Sequence, residues 1–200
     1  MLGLFEEKMI DSVILKESSD LDEQLKQLVE FSQKSLLEDI RELVEQDIRN
    51  LKAGINGENK LLFELKNSHI PMFVLRDLCI EDGDLSAQID FFIITKKLFY
   101  VIECKNLYGN IEIDSNGNFI RTVHYGKRFQ KTGIYSPITQ NQRHLELLWK
   151  IRQKNMGFLT KTIFQNFSKN VFYRAIVVLA NEQTVLNDKK APKKKKKKVI

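Results

Sequence analysis

The sequence is poor in cysteine and histidine. It has two cysteines in 200 residues, Cys79 and Cys104, both inside apolar runs. That excludes a disulfide framework and points to a reducing, cytoplasmic setting. Three scattered histidines cannot build a Cys/His zinc site. No apolar run approaches the roughly 18 residues of a membrane helix, so no membrane partner is expected. The opening MLGLFEEKMIDSV lacks the basic start of a secretory leader and turns acidic at once. There is no internal repeat, and only the C-terminal lysines are of low complexity.

What is present is the composition of a globular chain, 42% hydrophobic and 29% charged, long enough to bury a real core. The net charge of +6 is unevenly distributed. Residues 1–51 hold six basic against thirteen acidic side chains (−7), residues 52–188 eighteen against thirteen (+5), and residues 189–200 eight lysines with no acid. The expected organisation is an acidic helical arm over 1–51, a mildly basic domain over 52–188 and a lysine-rich tail over 189–200. The basic middle permits a nucleic-acid partner without requiring one.

Apolar residues at Leu25, Leu28, Leu36, Ile40, Val44, Ile48 and Leu51 recur at helical spacing, faltering between Phe31 and Ser35, where two helices can part. Two readings of this arm stand: packing on its own core, or self-association and partner binding. Gly54 and Gly57 are expected to interrupt the helix. A new one, ENKLLFELKNS, follows to about residue 67, and Pro71 marks the exit into a strand, MFVLRDLCI. EDGDLS reads as a turn, and Asn116-Gly117 as the turn of a hairpin. Residues 123–135 are expected to be a basic, aromatic-bearing loop. Ser136-Pro137 opens a helix with a capping residue and proline at its first position. VFYRAIVVLAN (171–181) is the last strand. This order predicts an α/β (α+β) fold, a central mixed sheet flanked by helices.

The chemistry concentrates in QIDFFIITKKLFYVIECKN (88–106). Both alternating faces of this predicted hairpin are apolar, so the sheet is expected to be covered on both sides. With Lys96-Lys97 as a two-residue turn, Thr95 faces Leu98, Asp90 lands opposite Glu103, and Lys105 shares the face of Glu103. Opposed β-carbons lie ~5 Å apart. Two carboxylates at that distance repel unless neutralised, and a hard divalent cation such as Mg²⁺ does this with carboxylates, waters and substrate phosphate. The bland alternative is a surface acid beside a Glu/Lys ion pair.

Two helices add to the constellation. Glu58 shares a stripe with Leu62 and Leu65, which reads either as a core-facing acid or as a first-turn glutamate favoured by the helix dipole. Gln140, His144, Leu147 and Ile151 form a second stripe, polar at its start and apolar later, as expected of a helix roofing a polar site. In HYGKRFQK (124–131), Lys127, Arg128 and Lys131 either grip backbone phosphates or form a solvated basic loop. The tail, ending Val199-Ile200, reads as a flexible or cut-short end in preference to a dedicated nucleic-acid tail.

Taken together these residues resemble the PD-(D/E)XK nuclease superfamily, and more closely its nuclease-related domain (NERD) family. The resemblance rests on Gly57-Glu58 opening the first helix, Gln88-Ile89-Asp90 before an apolar strand, and Glu103-Cys104-Lys105 ending the next. Gly109 and Ser-Pro-Ile-Thr-Gln-Asn-Gln-Arg-His at 136–144 extend it, over roughly residues 52–181. Ile89 stands where the superfamily usually has proline. The resemblance implies a restriction-endonuclease-like core and Mg²⁺-dependent phosphodiester hydrolysis, with Mn²⁺ as a substitute and DNA favoured over RNA. It further implies that Asp90 and Glu103 hold the metal, assisted by Glu58. Lys105 positions or activates water or stabilises the transition state, Gln140 supports the site, and His144 contacts nucleic acid. The alternative is a nuclease-like module that binds nucleic acid or protein without cutting.

Overall fold

The computed structural model describes residues 11–157, 169–196 and 198–200. Residues 1–10, read above as lacking a leader and as the start of the acidic arm, lie outside the described residues. Nine strands and five helices are described. Strands β1 (Ser12–Lys16), β2 (Met72–Asp82), β3 (Leu85–Thr95), β4 (Phe99–Lys105) and β8 (Tyr173–Leu179) form a five-stranded sheet in that order. Its outer pairs, β1–β2 and β4–β8, are parallel and its inner pairs antiparallel. A second sheet runs β7 (Arg128–Ile134), β6 (Phe119–Tyr125), β5 (Asn110–Ile113), β9 (Leu186–Asn187), with β5–β9 parallel. The fold is thus mixed α/β with two mixed sheets, consistent with a restriction-endonuclease-like core.

The helices are α1 (Leu21–Ser32), α2 (Glu38–Lys66), α3 (Pro137–Lys154) and the single turns α4 (Lys169–Phe172) and α5 (Lys193–Lys196). As the apolar hairpin predicts, the main sheet is covered on both faces. Leu62 of α2 packs with Met72, Val74, Phe91, Ile93 and Ile102 on one side. Leu145 of α3 packs with Ile89, Val101 and Tyr173 on the other. Ser136 caps α3 by accepting the Thr139 N–H at 3.3 Å. A third cluster, around Ile111, Ile113, Phe119, Ile138 and Val177, joins the small sheet to the large one.

Several expectations are corrected. The arm does break near residue 35, but α2 then runs without interruption through Gly54 and Gly57. Val44, Ile55 and Leu62, all buried, recur at multiples of a helical turn, and that burial offsets the ~1 kcal/mol that each interior glycine costs. Residues 12–16, not anticipated as a strand, add to the sheet edge beside β2. The stretch 123–135 is no loop: it is the end of β6, a turn at Gly126-Lys127 with Gly126 at φ 61°, and β7. The last strand begins at Tyr173, its first two expected residues being helical.

The tail is corrected as well. Residues 198–200 pair with β8: the Val177 N–H donates to the Lys198 carbonyl at 2.7 Å and the Leu179 N–H to that of Ile200 at 2.8 Å. Val199 is buried in the third cluster. The buried Val199 side chain and these backbone bonds are what tie this segment down, while the Ile200 side chain is exposed.

Gly57 explains how α2 comes so close to the end of β4. A β-carbon there would lie 2.6 Å from Asn106 Cβ, whereas one at Gly54 would meet nothing within 4 Å. The Asn106 amide also donates to the Ala53 carbonyl at 2.7 Å, closing the contact. The expected outcome of two substitutions therefore differs in sign. Gly54→Ala should stabilise by about 0.5–1 kcal/mol through helix propensity, and Gly57→Ala should destabilise by about 1–3 kcal/mol through overpacking. Urea unfolding of both variants checks this, and equal shifts would show that the helix does not press on Asn106.

Candidate active site

The β3–β4 hairpin has the register that its turn implies. The Thr95 N–H donates to the Leu98 carbonyl at 2.9 Å, and pairing runs from Ile94↔Phe99 to Phe91↔Ile102. Asp90 and Glu103 occupy the next position, where the ladder stops. There the Asp90 carboxylate accepts the Cys104 N–H at 2.7 Å.

The strands also change face at this point. Phe91 and Ile93 pack toward α2, whereas Ile89 packs toward α3, although strict alternation would put all three on one side. β2 does the same: Met72 and Val74 face α2, Leu78 and Ile80 face α3. The switch residue in β2 is Asp77, a non-glycine in the left-handed region at φ 53°, a conformation that costs about 1–2 kcal/mol and that aspartate tolerates better than most. The β2–β3 ladder skips Asp77 and Asp90 and resumes in the same register.

Asp77 is buried and well supported. Its carboxylate accepts the Asp20 N–H at 2.6 Å and the Gln88 amide, and Lys16 Nζ donates to its carbonyl at 2.6 Å. Burial pushes its acidity one way, but Gln88, the Asp20 N–H and Lys16 together hold the carboxyl below the usual range.

Asp90 lines a cleft of about 730 Å³ together with Glu58, Lys105, Tyr108 and Arg121, walled by α1 and α2. Glu58 is fixed by Arg76, whose Nε donates to its carboxylate at 2.9 Å while Nη1 donates to Asn59. Glu103 is buried. One of its oxygens lies 2.5 Å from Lys105 Nζ, and the other lies 3.5 Å from Nδ1 of His144. Neither that oxygen nor His144 Nδ1 has a hydrogen-bond partner. Asn141 docks α3 by donating to the carbonyls of Val101 at 2.9 Å and Ile176 at 2.8 Å, which brings His144 over Glu103.

Burial dominates the electrostatics. It pushes Asp90 up to about 7, with Glu103 adding to the effect, and Glu58 up to about 7, with Asp90 adding and Arg76 opposing. Glu103 is raised by burial, against the pull of Lys105. His144 is lowered by burial and then by Lys105, so its ring is neutral at neutral pH.

Of the residues singled out from sequence, Glu58, Asp90 and Lys105 share the cleft, and Glu103 joins Lys105 to His144. Gln140 lies apart from Asp90, in a groove of about 580 Å³ that it shares with His144 and Arg143. Lys127 occupies the β6–β7 turn, with Arg128 and Lys131 on exposed β7. Arg76, Asp77, Arg121 and Asn141 were missed. For Arg76-Asp77 a signal existed, a charged pair interrupting the apolar run MFVLRDLCI.

A family model, the nuclease-related domain (NERD), matches residues 53–180, more than half of the chain. The chain belongs to this family. The NERD match begins within α2, ends just after β8 and contains Glu58, Asp77, Asp90, Glu103, Lys105 and His144, whereas α1, Lys16 and Asp20 precede it. No curated protein and no solved structure matches the chain. Membership of the NERD family supports a nuclease-related function. Among the described residues no helix is long and apolar enough to cross a membrane.

The raised carboxyls set a pH dependence. The folded values of Asp90 and Glu58, near 7, exceed their ordinary values of 3.8 and 4.5. Between those limits the folded state binds more protons than the unfolded one, so stability falls as pH rises. In chelator, unfolding free energy should drop by a few kcal/mol in total from about pH 5 to about pH 8, and Asp90→Asn should remove part of the drop. A urea-unfolding pH series measures it; stability that is flat or rising over that window contradicts the assignment.

Proposed function

We infer that the chain is a metal-dependent nuclease hydrolysing phosphodiester bonds, with DNA as substrate. The observation that carries this reading is the desolvated carboxylate pair Asp90 and Glu103, beside Lys105, at the end of a buried hairpin. Among the described residues Lys105 is the ion-pair partner of Glu103 and also acts on Asp90, whose carboxylate accepts one backbone N–H.

The donor set fits a hard cation. Glu103 keeps a buried oxygen without a hydrogen-bond partner, and paired oxygen ligands supplemented by water suit Mg²⁺ or Mn²⁺. Asp90 and Glu103 would hold the ion, with Glu58 assisting from α2. When bound, the cation supplies Lewis-acid stabilisation of charge on phosphate oxygens. Lys105 adds positive charge where negative charge develops and orients the attacking water. His144, neutral, stands on α3 at 3.5 Å from that carboxylate, and Gln140 supports the same helix start. Lys127, Arg128 and Lys131 hold the nucleic-acid backbone.

A second reading, binding without cutting, has one observation in its favour. Among the described residues no three His, Cys, Asp or Glu side chains converge as an ion cage. Cleavage assays separate the two. Wild-type protein with Mg²⁺ or Mn²⁺ is expected to cut DNA, and Asp90→Ala or Lys105→Ala to lower the rate by at least about 100-fold while circular dichroism shows the fold retained. Intact linear, nicked, branched and single-stranded substrates would end the nuclease reading, and binding indifferent to Asp90→Ala would favour the second.

A further inference from the structure

Two buried polar atoms without a hydrogen-bond partner stand against each other. They are Glu103 Oε2 and His144 Nδ1, 3.5 Å apart. That separation is too long for a good N–H···O bond, which spans roughly 2.7–3.2 Å. Neither side chain is at a frayed edge: that of Glu103 is 1% exposed and that of His144 14%. Burying polar atoms without partners is costly, and folding alone does not explain a facing pair of them.

Local structure sets the pair. Glu103 follows Val101 by two residues along β4, so both point toward α3, where Val101 packs with Leu145. Asn141 and His144 are three apart on α3 and lie one above the other on its inner face. The Asn141 amide holds the helix to the Val101 carbonyl at 2.9 Å, which seats His144 over Glu103. The two oxygens of Glu103 therefore have different surroundings. Oε1 lies 2.5 Å from Lys105 Nζ, and Oε2 faces the imidazole. His144 also lines the groove of Gln140 and Arg143, which brings the pair next to solvent.

An imidazole nitrogen and a carboxylate oxygen are both metal ligands. Two such donors on one ion, each bound at about 2.0–2.2 Å, lie about 3–3.5 Å from each other. The observed spacing suits a shared ion better than it suits a hydrogen bond.

We propose that His144 Nδ1 is a nitrogen ligand of the cation held at Glu103, and that the site therefore prefers Mn²⁺ to Mg²⁺. Mg²⁺ favours a shell of oxygens, whereas imidazole suits transition-metal ions. Among the described residues no three His, Cys, Asp or Glu side chains form a cage. Much of the shell thus falls to water and substrate phosphate, and the nitrogen carries a large share of the affinity. The assignment rests on the proposed metal-dependent reading and specifies the ion of that site.

The test uses the full chain without nucleic acid. Isothermal titration calorimetry is expected to show Mn²⁺ bound at least about tenfold more tightly than Mg²⁺. Pulsed electron paramagnetic resonance should show a nitrogen nucleus coupled directly to the bound Mn²⁺. His144→Phe keeps a ring and removes its nitrogens. It should abolish that coupling and weaken Mn²⁺ about tenfold, while Mg²⁺ binding changes by less than about twofold. Thermal unfolding confirms that the variant folds.

A histidine that only steadied Glu103 would, once replaced, weaken both ions alike. That result overturns the ligand role, as do wild-type Mn²⁺ without nitrogen coupling, no preference between the ions, or no binding of Mn²⁺. If a chain giving any of these results still cuts DNA, the nuclease reading stands without the ligand. If the coupling is present and lost in His144→Phe, yet no nucleic acid is cut, the ligand stands and the nuclease reading fails.

Discussion

Where β3 and β4 part, the Asp90 carboxylate takes the place of a backbone carbonyl and accepts the N–H of Cys104. This bond lets the hairpin stop pairing without leaving a buried donor unsatisfied, which would cost about 1–3 kcal/mol. It also commits a carboxylate to a desolvated position next to Glu103. The raised proton affinities of both acids and the position of Lys105 are consequences of that placement. A surface ion pair of the same residues would be screened by water and would carry little chemistry.

The change of face at Asp77 and Asp90 distributes the site over the sheet. Above the switch, β2 and β3 bury their side chains under α2, and below it under α3. Arg76, just before the switch, turns to hold Glu58, while Gln88, just after it, supports Asp77. Glu58 on one helix thus stands near Asp90 at the break, and His144 on the other lies near Glu103, across the hairpin from it. A left-handed aspartate inside a strand is a cost that the surrounding bonds from Lys16, Asp20 and Gln88 offset.

The N-terminal helices belong to the site more closely than their acidic composition indicates. α2 is one rod from Glu38 to Lys66, so a boundary at residue 51 cuts through it, and α1 forms part of the cleft wall. The Asp20 N–H, just before α1, is tied to Asp77. The arm and the break in the sheet are therefore mechanically joined.

Much of the central architecture was legible because it follows from period and turn chemistry. Alternating apolar residues around Lys96-Lys97 determine a two-face-buried hairpin whose register sets Asp90 next to Glu103. Asn116-Gly117, Ser136-Pro137 and the faltering pattern near residue 35 mark their own boundaries, since each is a local backbone preference. Local preference misleads where burial outweighs it: two glycines did not break α2, and a run of lysines did not free the tail, because Val199 is buried. The roles of Arg76, Asp77 and Arg121 were decided only by the tertiary structure. Each depends on a partner or a face brought close by the sheet, and pairwise burial between distant segments leaves no periodic trace in the chain.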